Sequence, residues 1–313
     1  MPEYPKCILA GWPHSGQNQA MREKHSRRWG PAGGRLFIAA LLLGGVSLFS
    51  IPAPAARPPA GGPSWRTLTD GIDLIVFDVP REQAQQESAL VVVRVDPQRW
   101  RFRLICAADY QMDSMTARQW AALHDFAITI NAGMFAQDGK THVGYLRCDY
   151  DHNVSTNSYR SAAAFGARRT DAPPFRIFDL DVTGLEQVLD RYDCVMQNLR
   201  LIKRPGTNVW SPQDREWSEV ALGEDSSGRA LLIFCRVPFA MHAFNRLLLS
   251  LPLDLVAAQH LEGGPEAQLY IKLPGFEREY VGSYETGFLP NDSNLSAWPI
   301  PNVLGVVATE SSR

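Results

Sequence analysis

The chain has 313 residues, of which 45% are hydrophobic and 20% charged, and its formal net charge is −2. This composition is typical of a globular protein with enough apolar material for a sizeable core. A net charge so close to zero argues against a nucleic-acid partner and against general attraction to anionic membranes. The sequence contains no serine-hydrolase, zinc-protease, P-loop or dinucleotide-binding motif, so these enzyme classes are disfavoured as well.

The N-terminal region has the composition of an export signal followed by a tether. Residues 1–34 are polar and basic, and the apolar run at 36–51 is shorter than the ~20 residues of a membrane-spanning helix. The sequence Ala-Pro-Ala that follows resembles a cleavage site, which predicts a secretory signal peptide over residues 35–56. Residues 57–64 form a tether rich in Pro, Ala and Gly. We expect an exported, periplasmic or extracellular protein; the alternative is an uncleaved segment that anchors it in the membrane.

Cysteine usage leaves two readings open. Cleavage of the signal removes Cys7 and leaves Cys106, Cys148, Cys194 and Cys235. An even number in an oxidising compartment permits two disulfides, whereas the apolar surroundings of these cysteines suit buried free thiols equally well. No Cys/His spacing in the sequence is typical of a zinc site.

Residues 65–313 contain no linker, repeat or low-complexity break, which predicts one domain. Alternating or continuous apolar runs rich in β-branched residues predict many short strands. In chain order, strands are expected at residues 72–79, 89–95, 101–106, 126–130, 142–148, 161–165, 218–223, 230–237, 255–261, 268–271 and 300–307. Helices are expected from a cap at Asp113 or Ser114 to about residue 124, at residues 184–192 and at residues 239–251, where Pro252 ends the last one. The mixture predicts an α+β fold with a mixed, mainly antiparallel β-sheet and a few flanking helices.

The most informative segment is Glu-Gly-Gly-Pro-Glu at residues 262–266, between two predicted strands. Glycines allow a substrate to approach the backbone closely and leave N–H groups to meet an anion. A carboxylate beside them, directly after an apolar strand, suits a cleft better than a core. We therefore expect Glu262, Gly263 and Gly264 to belong to a functional site. The alternative is a turn carboxylate on the surface.

Other polar residues near predicted strands and helices are weaker candidates. Asn131 and Gly133 follow a predicted buried strand, where a plain strand end and hairpin is the alternative. Arg200 can grip a phosphate through two hydrogen bonds, or it is an exposed strand residue. His242 lies on a predicted helix, where a lone histidine is more often structural than catalytic. Asp225 is expected to make a hairpin turn.

Taken in order along the chain, these segments resemble the phosphodiester glycosidase family, which includes many exported bacterial proteins. The likeness covers residues 89–307. The matching segments are residues 131–135, 197–202, 221–232, 241–244, 261–264 and 301–306. The sequence departs from the family pattern at four places, one of which is the absence of the Gly-Pro that follows the family's Gln, here Gln197. Glu262 replaces an aspartate, Pro265 replaces a third glycine, and Glu219 stands where the family commonly has an arginine.

The resemblance implies hydrolysis of a sugar-1-phosphodiester at the anomeric carbon, with specificity shifted by these departures. It implies that Glu262 stabilises the sugar cation, attacks it or activates water, and that Asn131 bonds the sugar or the phosphate. A second carboxylate is expected at Glu266 or Glu285. The substrate-binding residues that the resemblance implies are Gly133, Phe135, Gln197, Arg200, His242, Gly263, Gly264 and Asn302. No cofactor is expected, although a cluster of carboxylate and amide oxygens is also compatible with calcium.

Two other classes of function remain open. The first is an inactive envelope protein that binds glycans or sugar phosphates in the same cleft, and Glu219 in place of arginine favours it. The second is a structural or interaction protein whose glycines only shape turns. A sugar ligand that stabilises the protein without being cleaved would support the first, and the absence of sugar binding would support the second.

Overall fold

The computed structural model describes residues 63–79, 89–147, 151–153 and 159–309. The predicted signal peptide and most of the predicted tether lie outside the described residues. Among the described residues, no helix is long and apolar enough to cross a membrane. Export, membrane anchoring and the single-domain organisation remain predictions.

The described part of the chain is dominated by strands, with three short α-helices and two 3-10 turns. The strands are β1 Arg66–Thr69, β2 Ile72–Asp78, β3 Ala89–Val95, β4 Trp100–Cys106, β5 Ile128–Asn131, β6 Tyr145–Arg147, β7 Asp151–Asn153, β8 Ser161–Ala167, β9 Phe175–Asp179, β10 Tyr192–Asn198, β11 Arg200–Lys203, β12 Thr207–Asn208, β13 Trp217–Asp225, β14 Ala230–Phe239, β15 Leu255–Gly263, β16 Gln268–Leu273, β17 Phe276–Val281 and β18 Asn302–Ala308. The helices are α1 Ala117–His124, α2 Leu185–Leu189 and α3 Met241–Ser250, and the 3-10 turns cover Ala107–Tyr110 and Gly264–Glu266.

These strands form three sheets. Sheet 1 has eight strands in the order β1-β2-β3-β14-β13-β15-β11-β12. Sheet 2 has the order β17-β16-β5-β18-β4, and sheet 3 has the order β7-β6-β10-β8-β9. Every strand pairing described is antiparallel, so the expectation of mainly antiparallel sheet is confirmed.

One apolar core joins the facing sides of the three sheets. Val93, Leu232 and Leu261 contribute from sheet 1, Ile130 from sheet 2 and Phe165 from sheet 3, and all of them are buried. Strands with one face on such a core show the alternation of apolar and polar residues that made most of them predictable. Strand β17 was not predicted, because it is an edge strand whose central residues are charged and exposed.

Local capping chemistry sets the boundaries of helix α1. The predicted cap at Asp113 or Ser114 is wrong by two or three residues, because Thr116 forms a capping box with Gln119. The helix ends at His124, as predicted, and Asp125 follows in the left-handed conformation. Its buried Trp120 packs on the side of sheet 2 that faces away from the three-sheet core. That packing fixes the position of strand β5, which ends at Asn131.

The chain passes from sheet 1 into sheet 2 through the 3-10 turn Gly264–Glu266, which joins β15 to β16. In sheet 2, strand β16 pairs with β5, and β18 pairs with β5 on its other side. The end of β15, the end of β5 and the start of β18 therefore meet at the same end of sheet 2, where its strands begin or stop. Three separate segments of the predicted site lie at this end of the sheet.

The cysteines in the described residues fall into both predicted classes. Cys106 and Cys235 are buried free thiols. Cys194 is disulfide-bonded.

Candidate functional site

The sequence predicted that a substrate would approach the double-glycine turn (Gly263 and Gly264), but side chains of the protein itself lie against both glycines. Gly264 has a φ of +66°, which favours glycine, and a Cβ at this position would lie 2.8 Å from the Oε2 atom of Glu285. A Cβ on Gly263 would lie 2.4 Å from the Cδ1 atom of Trp217. Glycine at both positions therefore brings an indole ring and a second carboxylate against the backbone that follows Glu262.

Asn131 fastens this turn to the end of strand β5. Its side-chain Nδ2 atom donates to the carbonyl oxygen of Glu266 at 2.9 Å, and its Oδ1 atom accepts from the backbone N–H of Gln268 at 2.8 Å. Asn131 is 1% exposed, so its amide is held inside the protein by the loop that follows Glu262. The structure thus brings the Asn131 and Glu262 segments together, with Asn131 in the position of a clamp on the turn.

Glu262 lies at the end of β15 and is partly buried. Its Oε1 atom accepts a hydrogen bond from the backbone N–H of Gly263 at 3.0 Å. Burial raises the pKa of Glu262 well above its usual range, and the neighbouring carboxylates of Glu266, Glu285 and Glu219 raise it further, against the opposing effect of the Gly263 N–H. A carboxyl group in these surroundings keeps its proton well above the pH at which an ordinary glutamate loses it.

Beside Glu262 lies a buried acid–histidine pair that the sequence did not reveal as part of the site. The Oε1 atom of Glu219 is 2.7 Å from the Nδ1 atom of His260, and its Oε2 atom accepts a hydrogen bond from the Trp217 indole at 2.6 Å. Glu219 is fully buried. Burial raises the pKa of the Glu219 carboxyl, and His260 and the indole N–H oppose that rise. The carboxylate at the family's arginine position therefore has a cation partner of its own when His260 is protonated.

Glu285 reaches the turn from an irregular segment that follows β17. Its side chain is 21% exposed, and its Oε1 atom lies 3.6 Å from the Nη2 atom of Arg215. Burial raises the pKa of Glu285, whereas the charges of Arg215 and His260 lower it. Its backbone is fixed by a bridge to Trp217, so the carboxylate belongs to the same structural unit as the Glu219–His260 pair.

A second wall of the site comes from sheet 3 and from the segment after Asn131. Gly133 has a φ of +110°, and a Cβ there would lie 2.4 Å from His142 Nε2 and 2.8 Å from Asn198 Nδ2. The Asn198 Nδ2 atom is buried and has no hydrogen-bond partner among the described residues. Gly133 is therefore required for the backbone to pass two polar side chains.

Gln197 connects this wall to Glu262 through Tyr159. The Gln197 amide accepts from the backbone N–H of Tyr145 at 2.9 Å and donates to the carbonyl oxygen of Tyr159 at 2.8 Å. Burial raises the pKa of Tyr159 to about 12, and the charge of Glu262 contributes to the rise. Gln197 therefore acts on the site through the position of Tyr159.

Asn302 and Phe135 border the same end of sheet 2. Asn302 is 2% exposed, and neither its Nδ2 nor its Oδ1 atom has a hydrogen-bond partner among the described residues. Its carbonyl oxygen accepts from the N–H of Ala132, which places it beside the Asn131 segment. Phe135 is half-buried against the apolar cluster around Trp120. Buried amides without partners are unusual in folded proteins and mark places where a ligand or water can bind.

Arg200 and His242 make their contacts elsewhere. The Nη1 atom of Arg200 lies 2.5 Å from Asp179 and 2.7 Å from Asp181, in an ion-pair group that is partly buried. The Nδ1 atom of His242 lies 2.5 Å from the carbonyl oxygen of Trp210. These contacts hold loops beside β11 and β12, and neither residue is needed to build the turn around Glu262.

The described residues contain no group of three or more His, Cys, Asp or Glu side chains arranged to hold a metal ion. The acidic residues around Glu262 stabilise its proton and do not form a metal cage.

Sequence reasoning missed His260, Trp217 and Arg215. One signal was present, because Gln259, His260 and Glu262 interrupt the otherwise apolar sequence of strand β15. Arg215 and Trp217 precede the Ala-Leu-Gly segment that was recognised, but nothing local shows that they face Glu285. The contacts of Arg215 and Trp217 with Glu285 join residues about 70 positions apart, a separation that no local pattern encodes.

Comparison with known proteins agrees with the fold and the order of the motifs. A search of curated proteins found no significant match. The catalytic domain of zebrafish N-acetylglucosamine-1-phosphodiester alpha-N-acetylglucosaminidase, auto-inhibited by pro-peptide, aligns with 13% identity and a TM-score of 0.54 over 76% of this chain and 83% of that chain. A hypothetical protein from Synechocystis aligns with 14% identity and a TM-score of 0.51 over 81% of this chain and 65% of that chain. At these identities the two likenesses show the fold alone.

The match to a family model is more specific than the structural likenesses. The model, described as phosphodiester glycosidase, matches residues 124–307, which is more than half of the chain. The match contains both the Asn131 segment and the double-glycine turn. The chain therefore belongs to the phosphodiester glycosidase family.

Proposed function

We propose that this protein is an exported glycoside hydrolase that cleaves a sugar-1-phosphodiester at the anomeric carbon. The observation that carries the proposal is the state of Glu262, a partly buried carboxyl group whose pKa is raised well above its usual range at the rim of a glycine turn. Perturbed carboxyl groups in clefts are typical of general acids in glycoside hydrolysis. Family membership supplies the substrate class.

The charge of the site explains why the proton on Glu262 matters. Glu262 is surrounded by the carboxylates of Glu266, Glu285 and Glu219. Two like charges 4 Å apart repel by about 4 kcal/mol at an effective dielectric constant near 20. A phosphodiester is itself an anion, so it is expected to enter only when part of this cluster is neutral. A protonated Glu262 removes one negative charge and offers a hydrogen bond to a phosphate oxygen.

In this mechanism Glu262 donates its proton to the oxygen that leaves with the phosphate, while positive charge develops on the sugar ring. Phosphate is a good leaving group, so much of the rate is expected to come from stabilisation of the sugar cation and from hydrogen bonds to the phosphate. Asn131 holds the turn in place, because both ends of its amide are bonded to the backbone after Gly264. Gly263 holds the carboxyl group of Glu262 through its N–H.

The proposal is tested by screening the full-length protein against sugar-1-phosphodiesters and measuring released sugar. The wild type is expected to release sugar from at least one of them, and Glu262→Gln is expected to lower turnover by about 10³-fold, because general acid catalysis contributes about 10² to 10⁴. Glu216→Gln is the matched control, since this glutamate lies outside the carboxylate cluster. Equal turnover by Glu262→Gln and wild type would exclude Glu262 as the acid.

A second candidate function is a binding protein for envelope glycans or sugar phosphates. It is favoured by Glu219, which places a carboxylate where the family commonly has an arginine. This candidate predicts that a sugar-1-phosphodiester raises the melting temperature while no sugar is released. The hydrolase predicts both stabilisation and release.

A further inference from the structure

Two carboxylates flank the double-glycine turn, and their surroundings differ. Glu262 precedes the turn and is bonded to the N–H of Gly263. Glu285 lies against the second glycine, where the Cβ that Gly264 lacks would be 2.8 Å from its Oε2 atom. Two-carboxylate glycosidases use a pair of carboxyl groups that flank the scissile bond, and these two side chains flank one short turn.

We infer that Glu285 is the second catalytic carboxylate of this site and acts together with Glu262 at the double-glycine turn. The inference rests on the proposed hydrolase function and names the residue that the sequence left open between Glu266 and Glu285. Accessibility separates these two residues. Glu285 is half-buried, whereas Glu266 is buried and its carbonyl oxygen is bonded to Asn131. Only Glu285 combines contact with the turn and access to a substrate.

The backbone of Glu285 is fixed on both sides, so its carboxylate is positioned before a substrate arrives. Its N–H donates to the carbonyl oxygen of Leu289 at 2.9 Å, and it forms a bridge with Trp217. The indole of Trp217 is in turn bonded to Glu219. A carboxylate that takes a proton from the attacking water must be held in place before the reaction, because a misplacement of about 1 Å lowers the rate.

Neighbouring cations make the pKa of Glu285 differ from that of Glu262. Burial raises the pKa of both, but only Glu285 has cations beside it, Arg215 at 3.6 Å and His260. Glu219 holds the His260 ring in place through a contact of 2.7 Å with its Nδ1 atom. Glu285 is thus expected to lose its proton at lower pH than Glu262. Two carboxyl groups whose pKa values are pushed apart in this way identify the base and the acid.

The reaction balances with these two groups and one water. The bond between the anomeric carbon and the phosphate oxygen breaks, its electron pair stays on that oxygen, and Glu262 supplies the proton. The water oxygen forms the new bond to the anomeric carbon, and its proton passes to ionised Glu285. The products are the free sugar and the phosphate monoester. One proton then returns from Glu285 to Glu262 through solvent, which restores the starting state.

The first test compares Glu285→Gln with Glu216→Gln, a neighbouring glutamate outside the cluster. Glu285→Gln is expected to lower kcat by about 10² to 10⁴-fold with little change in melting temperature, and added azide or formate is expected to restore part of the rate. Glu216→Gln is expected to match the wild type. Wild-type turnover in Glu285→Gln would overturn the inference and leave the role of Glu262 intact. A wild type that cleaves no sugar-1-phosphodiester would overturn the proposed function and this inference with it.

The second test reads the pH profile. An ionised Glu285 and a protonated Glu262 predict a bell-shaped profile, with Glu285 on the acid limb. Arg215→Gln removes a charge that lowers the pKa of Glu285, so the acid limb is expected to move to higher pH while the alkaline limb stays. A purely structural role of Arg215 would lower the rate at every pH without moving the limb, and that result would contradict the inference.

The third test needs no turnover. Carboxyl groups labelled with ¹³C at glutamate report their ionisation by NMR, and the Glu262→Gln and Glu285→Gln variants assign the two signals. Glu285 is expected to titrate at lower pH than Glu262. The reverse order would overturn the assignment of base and acid even if both variants were inactive.

Discussion

The two ends of sheet 2 differ in how their polar groups are held. At one end, which we call the carboxylate end, Asn131 and the double-glycine turn meet Glu262 and Glu285. The other end borders a groove of about 1250 Å³, which we call the cationic groove because its lining includes Arg101, Arg103 and Lys272 against two acidic residues, Asp125 and Asp193. Strand β16 runs between the two ends, and its six residues span about 20 Å at roughly 3.3 Å per residue.

Volume and positive charge alone would favour the cationic groove as the site for an anionic substrate. Its three cationic side chains are all exposed, however, and Arg103 lies 6.0 Å above the ring of Phe126 in an ordinary cation–π contact. The carboxylate end holds titratable groups in buried contact with one another, an arrangement that is costly without a function. The comparison indicates that buried titratable groups with shifted pKa values identify a catalytic site better than the volume and charge of a groove do.

The largest effect expected is on turnover. Gly264→Ala introduces a Cβ where φ is +66° and where the Glu285 Oε2 atom would be 2.8 Å away, so both carboxylates are expected to shift. We expect turnover to fall by about 10²-fold, the effect of a misplacement near 1 Å. Sugar release is the measurement. The control is the combined variant Arg101→Gln and Lys272→Gln in the cationic groove, which is expected to retain the wild-type rate, and a reversed pattern would move the site to that groove.

The next effect is on stability. His260→Ala leaves one carboxyl oxygen of the fully buried Glu219 without its hydrogen-bond partner, and an unsatisfied buried polar group typically costs about 1 to 3 kcal/mol. Urea unfolding measures the change in the free energy of unfolding. Arg103→Ala, at the other end of the sheet, is expected to change it much less because Arg103 is exposed. An equal loss of unfolding free energy in the two variants would contradict the difference between the two ends, because it would mean that both are stabilised by side-chain contacts to the same extent.

A comparable effect is expected at the clamp. Asn131→Ala removes two hydrogen bonds to the backbone of Glu266 and Gln268, and about 1 kcal/mol for each predicts a loss of about 2 kcal/mol. The same variant is expected to lower turnover, because the turn after Glu262 is released. Thermal unfolding and sugar release together check this prediction. Lost stability with wild-type turnover would limit Asn131 to a role in folding.

The smallest effect is the pH dependence of stability. The pKa of Glu262 is raised in the folded protein, so its contribution is present below the unfolded pKa and is lost as pH rises through the folded pKa. The pKa values of Glu219 and Glu285 are raised too and act in the same direction. From acid to neutral pH, the unfolding free energy of Glu262→Gln is therefore expected to decline less than that of the wild type. Parallel curves would show that Glu262 is not perturbed.

Sequence patterns predicted the strands and turns that are determined by residues close together in the chain. The apolar runs predicted β3 and β14 closely, and Asp225 makes its hairpin turn by accepting from the N–H groups of Ser227 and Arg229. The segments at Asn131 and Glu262 were found because glycines and polar residues interrupt apolar strands there.

The partners of these residues depend on tertiary contacts and were not predictable in the same way. The sequence offered Arg200 as a phosphate clamp, and the structure places its guanidinium between Asp179 and Asp181, which a local pattern cannot show. Glu285 lies in a segment without regular secondary structure, so no periodicity gave its direction. The place of His260 in the site depends on strand β13, which brings Glu219 into contact with it.

The most direct test of this account is the rate of sugar release from one cleaved sugar-1-phosphodiester, measured for the wild type and Glu262→Gln from acid to neutral pH. We predict that the wild-type rate falls as Glu262 loses its proton, and that the variant is slow throughout and has no such fall. A variant that follows the wild-type curve at the wild-type rate would contradict the assignment of the chemistry to the carboxylate end.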